Sequence, residues 1–367
     1  MFRSLVEHGV STRPRIGEAL GLSRPTMSAA ISELEKLGYV ESVGHEQGAL
    51  GRKAAKYRAG PGAGHVIAVD AGSTHVRIRV STLDRRVLHS RVYSLPSSQQ
   101  TLGDEISQAV AQEMAELEQI ATEMWGPLRT VGIAIPSRVV KDGSAAETTG
   151  QMRIFSKFRA PECARVVLEN NVNCAAVAEH LYGNAKDTGS FAYVQIGLKI
   201  GMGLMLSGQL VRGRNGAAGE IGHISFPFAP GATPIPGEVE RYLGTEGLID
   251  RVRASWPSEA GPPPQDTNEL MTRAGNSDPV ALAQVEQQAH DIAAVVATCV
   301  SVVDPGLVIL GGGLGSSELL PERVSAAATR LSYPVEVRSS TLGSDATALG
   351  IEKLAIDQAL QDLLPET

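Results

Sequence analysis

Gln195–His223 reads QIGLKIGMGLMLSGQLVRGRNGAAGEIGH. Ile200, Met202, Leu204 and Leu206 alternate as one face of a strand, Ser207-Gly208 marks a turn, and a second strand follows. A glycine-rich loop then ends in Gly219-Glu220-Ile221-Gly222-His223. The glycines at 197, 201 and 203 are expected to let backbone approach a ligand. Glu220 and His223 bring together a carboxylate, which accepts from hydroxyls, and an imidazole, which donates or accepts. A buried Glu-His ion pair in a tight loop explains the same residues equally well.

The order of strand, glycine turn, strand, turn and strand over Phe191–Arg212 has a counterpart at His65–Ser90. Val66–Asp70 is a buried-strand run, and Ala71-Gly72-Ser73-Thr74 is a tight turn. Val76, Ile78 and Val80 then alternate with Arg77, Arg79 and Ser81. Such a repeat predicts a duplicated, two-lobed α/β body with a ligand cleft between the lobes. Between the copies, Leu102–Met124 is an amphipathic helix and Val131–Pro136 a buried strand. Arg165–Leu168 is a strand leading through Glu169-Asn170-Asn171-Val172-Asn173 into a helix. That polar cluster sits at a strand-to-helix junction, where α/β ligand sites gather. One Asn would suffice as a helix cap. Residues 280–303 form a long apolar helix, Leu307–Leu310 a strand, and Gly311–Gly315 a turn able to admit a nucleotide, a weak signal alone.

Residues 1–60 read differently. Phe2, Leu5 and Val6 give one helix an apolar face, and Ile16, Ala19 and Leu20 a second that stops at Gly21. Ser23 is a good N-cap for a third helix from about Arg24 to Leu37, with Met27, Ala30, Ile31, Leu34 and Leu37 toward the core. Arg24, Thr26 and Ser28 are left outside. Two strands, Tyr39–Val43 and Ala55–Arg58, flank a tip carrying Gly51-Arg52-Lys53. This is a winged helix-turn-helix, its third helix placed for a major groove and its basic wing for phosphate or a minor groove. A small helical domain for protein contacts is the blander alternative. Nine Lys/Arg against six Asp/Glu in this segment, on a chain of net charge −7, favour DNA. Gly60–Gly64 is expected as a linker, giving domains 1–60, 61–64 and 65–367.

Length and composition fit a globular chain of two or three domains: 367 residues, 43% hydrophobic and 20% charged. Three scattered cysteines without metal spacing, no signal-peptide pattern, and an apolar run (Ile292–Val303) too short for a bilayer point to the cytoplasm.

In this order the motifs resemble those of the ROK family, named for repressors, open reading frames and kinases. Val69–Thr74 is similar to the family's first phosphate loop. Glu169–Asn173 resembles its Glu-Asn-Asp-x-Asn segment, and Ala218–His223 its sugar-binding signature. Glu240, in preference to Glu238, matches a later sugar-contacting Glu. Gly311-Gly312-Gly313 lies where the family's adenosine loop does. The head resembles that of the family's regulators, including Gly-Arg at the wing. The resemblance implies an actin-like, hexokinase-like fold. It also implies sugar contacts from Asn170, Asn171, Glu220, His223 and Glu240, and nucleotide loops at Asp70, Gly72, Thr74, Gly197, Gly201, Gly311 and Gly312.

Departures from the family pattern point away from catalysis. The kinases' general-base Asp is Asn171, whose amide takes no proton at neutral pH; losing such a base removes about 10²–10⁴-fold of rate. Ser73 replaces a glycine, and Gly197-Leu198-Lys199 replaces a run of small residues, which weighs against ATP binding. Lys199 makes a phosphorylated ligand conceivable. No cysteine lies between His223 and Glu240, so no zinc, and no cofactor at all, is expected. The chain is expected to be a homodimeric or tetrameric repressor, binding an operator in double-stranded DNA under control of a sugar or sugar-derivative effector. Alternatives are a sugar kinase, and a regulator that no longer senses free sugar.

Overall fold

A computed structural model describes residues 1–47, 53–95, 103–140, 147–224, 231 and 233–364. Arg52 with the wing tip, and residues 226–230 and 232 of a proline-rich segment after the glycine-rich loop, lie outside the described residues. The chain divides into two compact units. The first comprises Met1–Ser137, Thr149–Glu169 and Ile351–Thr367, and the second Arg138–Thr148 and Asn170–Gly350.

The first unit opens with α1 (Phe2–His8), β1 (Ser11–Thr12), α2 (Arg13–Leu20), α3 (Arg24–Lys36), β2 (Val40–Gln47) and β3 (Lys53–Ala59). The three strands form one antiparallel sheet in the order β1-β3-β2. Helix α3 starts where expected because the Ser23 hydroxyl accepts from the Thr26 amide at 3.4 Å. The buried face of α3 is narrower than its periodicity predicts. Met27 and Ile31 are buried, but Leu37 is 60% exposed. On α2 the buried pair is Ile16 and Gly17, whereas Ala19 and Leu20 face solvent. Gly17 lets α2 close onto Met27, so the contact falls one residue from the expected stripe.

The body of this unit is β4 (His65–Ala71), β5 (His75–Thr82), β6 (Val87–Ser94), α4 (Asp104–Ile120), β7 (Leu128–Ile135), α5 (Thr149–Ile154) and β8 (Arg165–Asn170). Its sheet has the order β6-β5-β4-β7-β8, with β4 antiparallel to β5 and parallel to β7. The second unit contains α6 (Asn171–Tyr182), β9 (Phe191–Ile196), β10 (Ile200–Leu206), β11 (Gln209–Val211), α7 (Glu238–Leu243), α8 (Thr245–Ser255), α9 (Thr267–Gly275), α10 (Pro279–Val303), β12 (Leu307–Gly311), α11 (Gly312–Gly315), α12 (Pro321–Leu331) and β13 (Glu336–Ser339). The order β11-β10-β9-β12-β13, antiparallel then parallel about β9, repeats the first sheet strand for strand. The duplication read from two strand-turn-strand patterns is therefore real topology. Helix α13 (Ala346–Leu363) closes the chain. Gly311–Gly315, expected as a turn, is the strand end plus one helical turn. Among the described residues no helix is long and apolar enough to cross a membrane.

Candidate functional site

In the second unit the site is built on β10. Glycine there serves packing more than ligand approach. A Cβ on Gly203 would stand 2.8 Å from the Val172 carbonyl oxygen and 2.7 Å from the Ala176 methyl. One on Gly201 would meet Val172 at 3.0 Å. The start of α6 therefore lies flat on the strand, correcting the expected role of both glycines. Asn170 is the cap of that helix: its Oδ1 accepts from the amides of Val172 at 2.8 Å and Asn173 at 3.2 Å. The blander reading holds for this oxygen of Asn170, which is committed to the backbone. Asn171 is the first helical residue and half-buried.

The loop after β11 is tied back to β10. Gly219 has φ +85, and the Met202 amide donates to its carbonyl at 2.9 Å. A Cβ there would stand 1.9 Å from the Met202 carbonyl oxygen. This tether presents Glu220 and His223 at the two ends of a single 3₁₀ turn. Their facing atoms, Oε2 and Nε2, are 3.8 Å apart, with the side chains 36% and 66% exposed. Such exposure decides against a buried ion pair and leaves both groups open to a ligand. Glu240, on α7, reaches the same place. Its Oε2 accepts from the Ile200 amide at 3.4 Å and lies 3.5 Å from where a Cβ on Gly222 would be.

Electrostatics define the rest. Partial burial pushes the Glu220 carboxyl up from its ordinary range. The charges of His223, Arg138 and Lys199 oppose that rise, and Glu240 adds to it. Lys199 acts on the cluster through its charge, as does Arg138, which was not legible as part of it. The Arg138 guanidinium also donates to the Asn215 carbonyl, fastening the glycine-rich loop. Two carboxylates, an imidazole and two cations make a polar surface suited to a poly-hydroxylated ligand.

Of the expected nucleotide loops, the one at Asp70–Thr74 and the strand end at Gly311 are crowded by neighbouring side chains. In the first unit Asp70 is buried at the end of β4, its Oδ2 3.3 Å from His75 Nε2 and 3.5 Å from Arg77 Nη1. The His75 ring covers Gly72 and touches the Thr74 hydroxyl at 3.1 Å. In the second unit a Cβ on Gly311 would stand 2.0 Å from the Tyr193 hydroxyl oxygen. That phenol is buried, which raises its pKa, and it is held by the Gly312 backbone. At Gly197 an added Cβ would make only ordinary contacts, 3.6 Å from the Gly313 amide nitrogen and 3.9 Å from the Lys199 carbonyl oxygen. Among the described residues no group of three His, Cys, Asp or Glu side chains is placed to hold a metal.

In the head, Arg24, Thr26, Ser28 and Lys53 are exposed. Thr26 is less available than expected, because its hydroxyl bonds Ser23 Oγ at 2.8 Å within the cap.

The xylose repressor of Bacillus subtilis (strain 168) is 23% identical over 378 aligned positions, covering 98% of this chain and 94% of that protein. A glucokinase of Halalkalibacterium halodurans is 24% identical but covers 77% of this chain and 92% of its own length. Among solved structures, a ROK family transcriptional regulator described as a homolog of the Escherichia coli MLC protein superposes with a TM-score of 0.74. It is 17% identical and covers 99% of this chain and 96% of that one. That likeness extends over head and body alike at the level of fold. The ROK family model matches residues 66–358, both lobes of the duplicated body, and the chain belongs to that family.

Proposed function

We propose that this protein is a DNA-binding transcriptional regulator, a repressor, whose hold on its operator is set by a sugar or sugar derivative, and that it transfers no phosphate. The observation that carries this is the joining in one chain of an exposed-faced winged helix-turn-helix to a body with an open Glu220–His223–Glu240 cluster. The xylose repressor resembles it over both parts. In this reading Arg24, Ser28 and, in part, Thr26 face the major groove, while Arg52 and Lys53 meet phosphate beside it. Asn171, Glu220, His223 and Glu240 hold the effector's hydroxyls, with Asn170 shaping the helix start beneath them. The protein works in the cytoplasm as a dimer or tetramer on a palindromic site.

The effector acts by binding one arrangement of the body better than another, since equal affinity would shift nothing. Catalysis is opposed by Asn171 and by the Asp70–His75–Arg77 cluster, which occupies the carboxylate a phosphate loop would need. The test is a fluorescence-anisotropy titration of operator DNA with D-xylose, D-glucose and N-acetyl-D-glucosamine, each also offered with MgATP. Glu220→Ala removes a charged acceptor, worth about 1.5–3 kcal/mol, or about 10–150-fold in effector affinity. Unchanged effector potency in that variant would place the ligand elsewhere. A kinase reading has the glucokinase relative in its favour and requires phosphorylated sugar in the same experiment.

A further inference from the structure

Residues 60–64 read as a linker, yet they are held by hydrogen bonds on both sides. The Gly60 amide donates to Tyr39 O and the Gly62 amide to Gly38 O, both at 2.9 Å. On the other side, the His65 amide donates to Pro127 O at 3.0 Å. Arg129 donates from Nε to Ala63 O and from Nη2 to Gly62 O, each at 3.0 Å. Arg86 Nη2 reaches Ala59 O at 2.8 Å. Glycine permits this closeness: a Cβ on Gly62 would stand 2.6 Å from Leu37 O, and one on Gly126 would stand 1.7 Å from Pro61 O. Ala63, at the centre, is wholly buried.

The head's core is likewise not its own. Phe2, Leu5, Val6, Ile16, Met27, Ile31, Val40 and Tyr57 belong to one continuous cluster with Val66 and Leu83 of the body and with Ala355, Ile356, Ala359 and Leu360 of α13. A segment of about sixty residues buries only about 60% of the surface of its unfolded chain and is marginal alone. Here the last turns of α13 complete it. That helix is itself anchored to the body's sheet, since Glu352, 1% exposed, pairs with Arg79 of β5 at 2.8 Å.

We infer that the head and the first lobe form one rigid piece. Whatever shifts operator affinity must then do so by repositioning that whole piece in each protomer, not by ordering or releasing a hinge at 60–64. The inference does not depend on the nature of the effector. It also implies that removing residues 1–60 would expose Ile356 and Leu360, so truncation is a poor test of DNA binding.

The test uses the full-length chain. Spin labels are placed through Lys36→Cys on α3 and Glu118→Cys on α4, in a Cys163→Ser background, because Cys174 and Cys299 are buried. Pulsed electron–electron distance measurements, on labelled protein diluted with unlabelled protein, should give one narrow distribution. Ile356→Ala with Leu360→Ala should broaden it. Hydrogen exchange should show Ile31 and Tyr57 protected to within about tenfold of Ile67 and Val69, as members of one cooperative unit. A broad distribution in the unaltered core would overturn the inference. So would a distribution indifferent to the double substitution, or head amides exchanging more than about a hundredfold faster than the body's.

Discussion

Gly219→Ala puts the geometry of the effector loop to its most direct test. Two costs follow from the structure. The residue sits at φ +85, where an L side chain costs about 1–2 kcal/mol. Its new Cβ would also lie 1.9 Å from the Met202 carbonyl oxygen, a contact that real Cβ atoms keep beyond 3.0 Å. Loop and strand must therefore part by roughly 1 Å, which breaks the 2.9 Å bond from the Met202 amide and loses about 1 kcal/mol more. The sum, about 2–3 kcal/mol, lowers the melting temperature by about 4–12 °C for a unit of this size. Because the loop carries Glu220 and His223, effector response should weaken while operator binding without effector stays as it was. Gly208→Ala is the control: its φ is +75 but nothing lies within 4 Å of the added carbon, so it carries the conformational cost alone. Calorimetry and anisotropy on both variants decide the matter. If Gly219→Ala melts no lower than Gly208→Ala and responds to effector normally, the loop is not held by β10 and the account of the site fails.

Ser23→Ala removes the cap of α3, costs about 1 kcal/mol, and should weaken operator binding more than it lowers the melting point, as paired binding and thermal curves would show. Lys53→Ala should reduce the slope of log affinity against log salt by about one unit; an unaltered slope would remove Lys53 from the phosphate contacts. Glu220 should make effector binding pH-dependent, falling away in acid through a midpoint above the ordinary glutamate range, and Glu220→Gln should abolish that limb. The sign for stability is opposite. A carboxyl raised by folding favours the native state below its unfolded pKa and loses that contribution as pH rises through the folded one, so Glu220→Gln should melt higher than wild type at neutral pH while binding effector less well. Asn171→Asp should not restore phosphoryl transfer in single-turnover assays, because Asp70 remains held by His75 and Arg77; robust transfer would show that one amide alone stands in the way.

Where a pattern of side chains alone fixes structure, the sequence was readable. The alternation of Val76, Ile78 and Val80 against Arg77 and Arg79, and its echo around Met202, identified the paired sheets. Met27 and Ile31, with a serine cap before them, identified the third helix of the head. What escaped depends on tertiary approach. Ser11–Thr12 is too short to show a period, yet it adds a third strand by pairing with Tyr57 and Lys56. Gly60–Gly64 has the composition of a flexible tether, but its glycines are there because backbone meets backbone. Gly201 and Gly203 are similar, making room for α6. Arg138 follows a turn about eighty residues from the loop it fastens, so only folding discloses its place beside Glu220. His75 and Arg77 look like ordinary strand residues until Asp70 is seen between them.

In the proposed function one chain reads DNA and answers to a sugar without altering it. The most direct measurement follows an operator-bearing DNA fragment and the sugar together: anisotropy reports release of the full-length protein as each monosaccharide is added, and mass spectrometry of the same mixture, with MgATP present, reports the state of the sugar. Binding to the fragment should be salt-sensitive and altered by one of the sugars, which is recovered unphosphorylated. Sugar phosphate accumulating with turnover, or DNA binding untouched by any sugar and unaltered by Glu220→Ala, would contradict the proposed function.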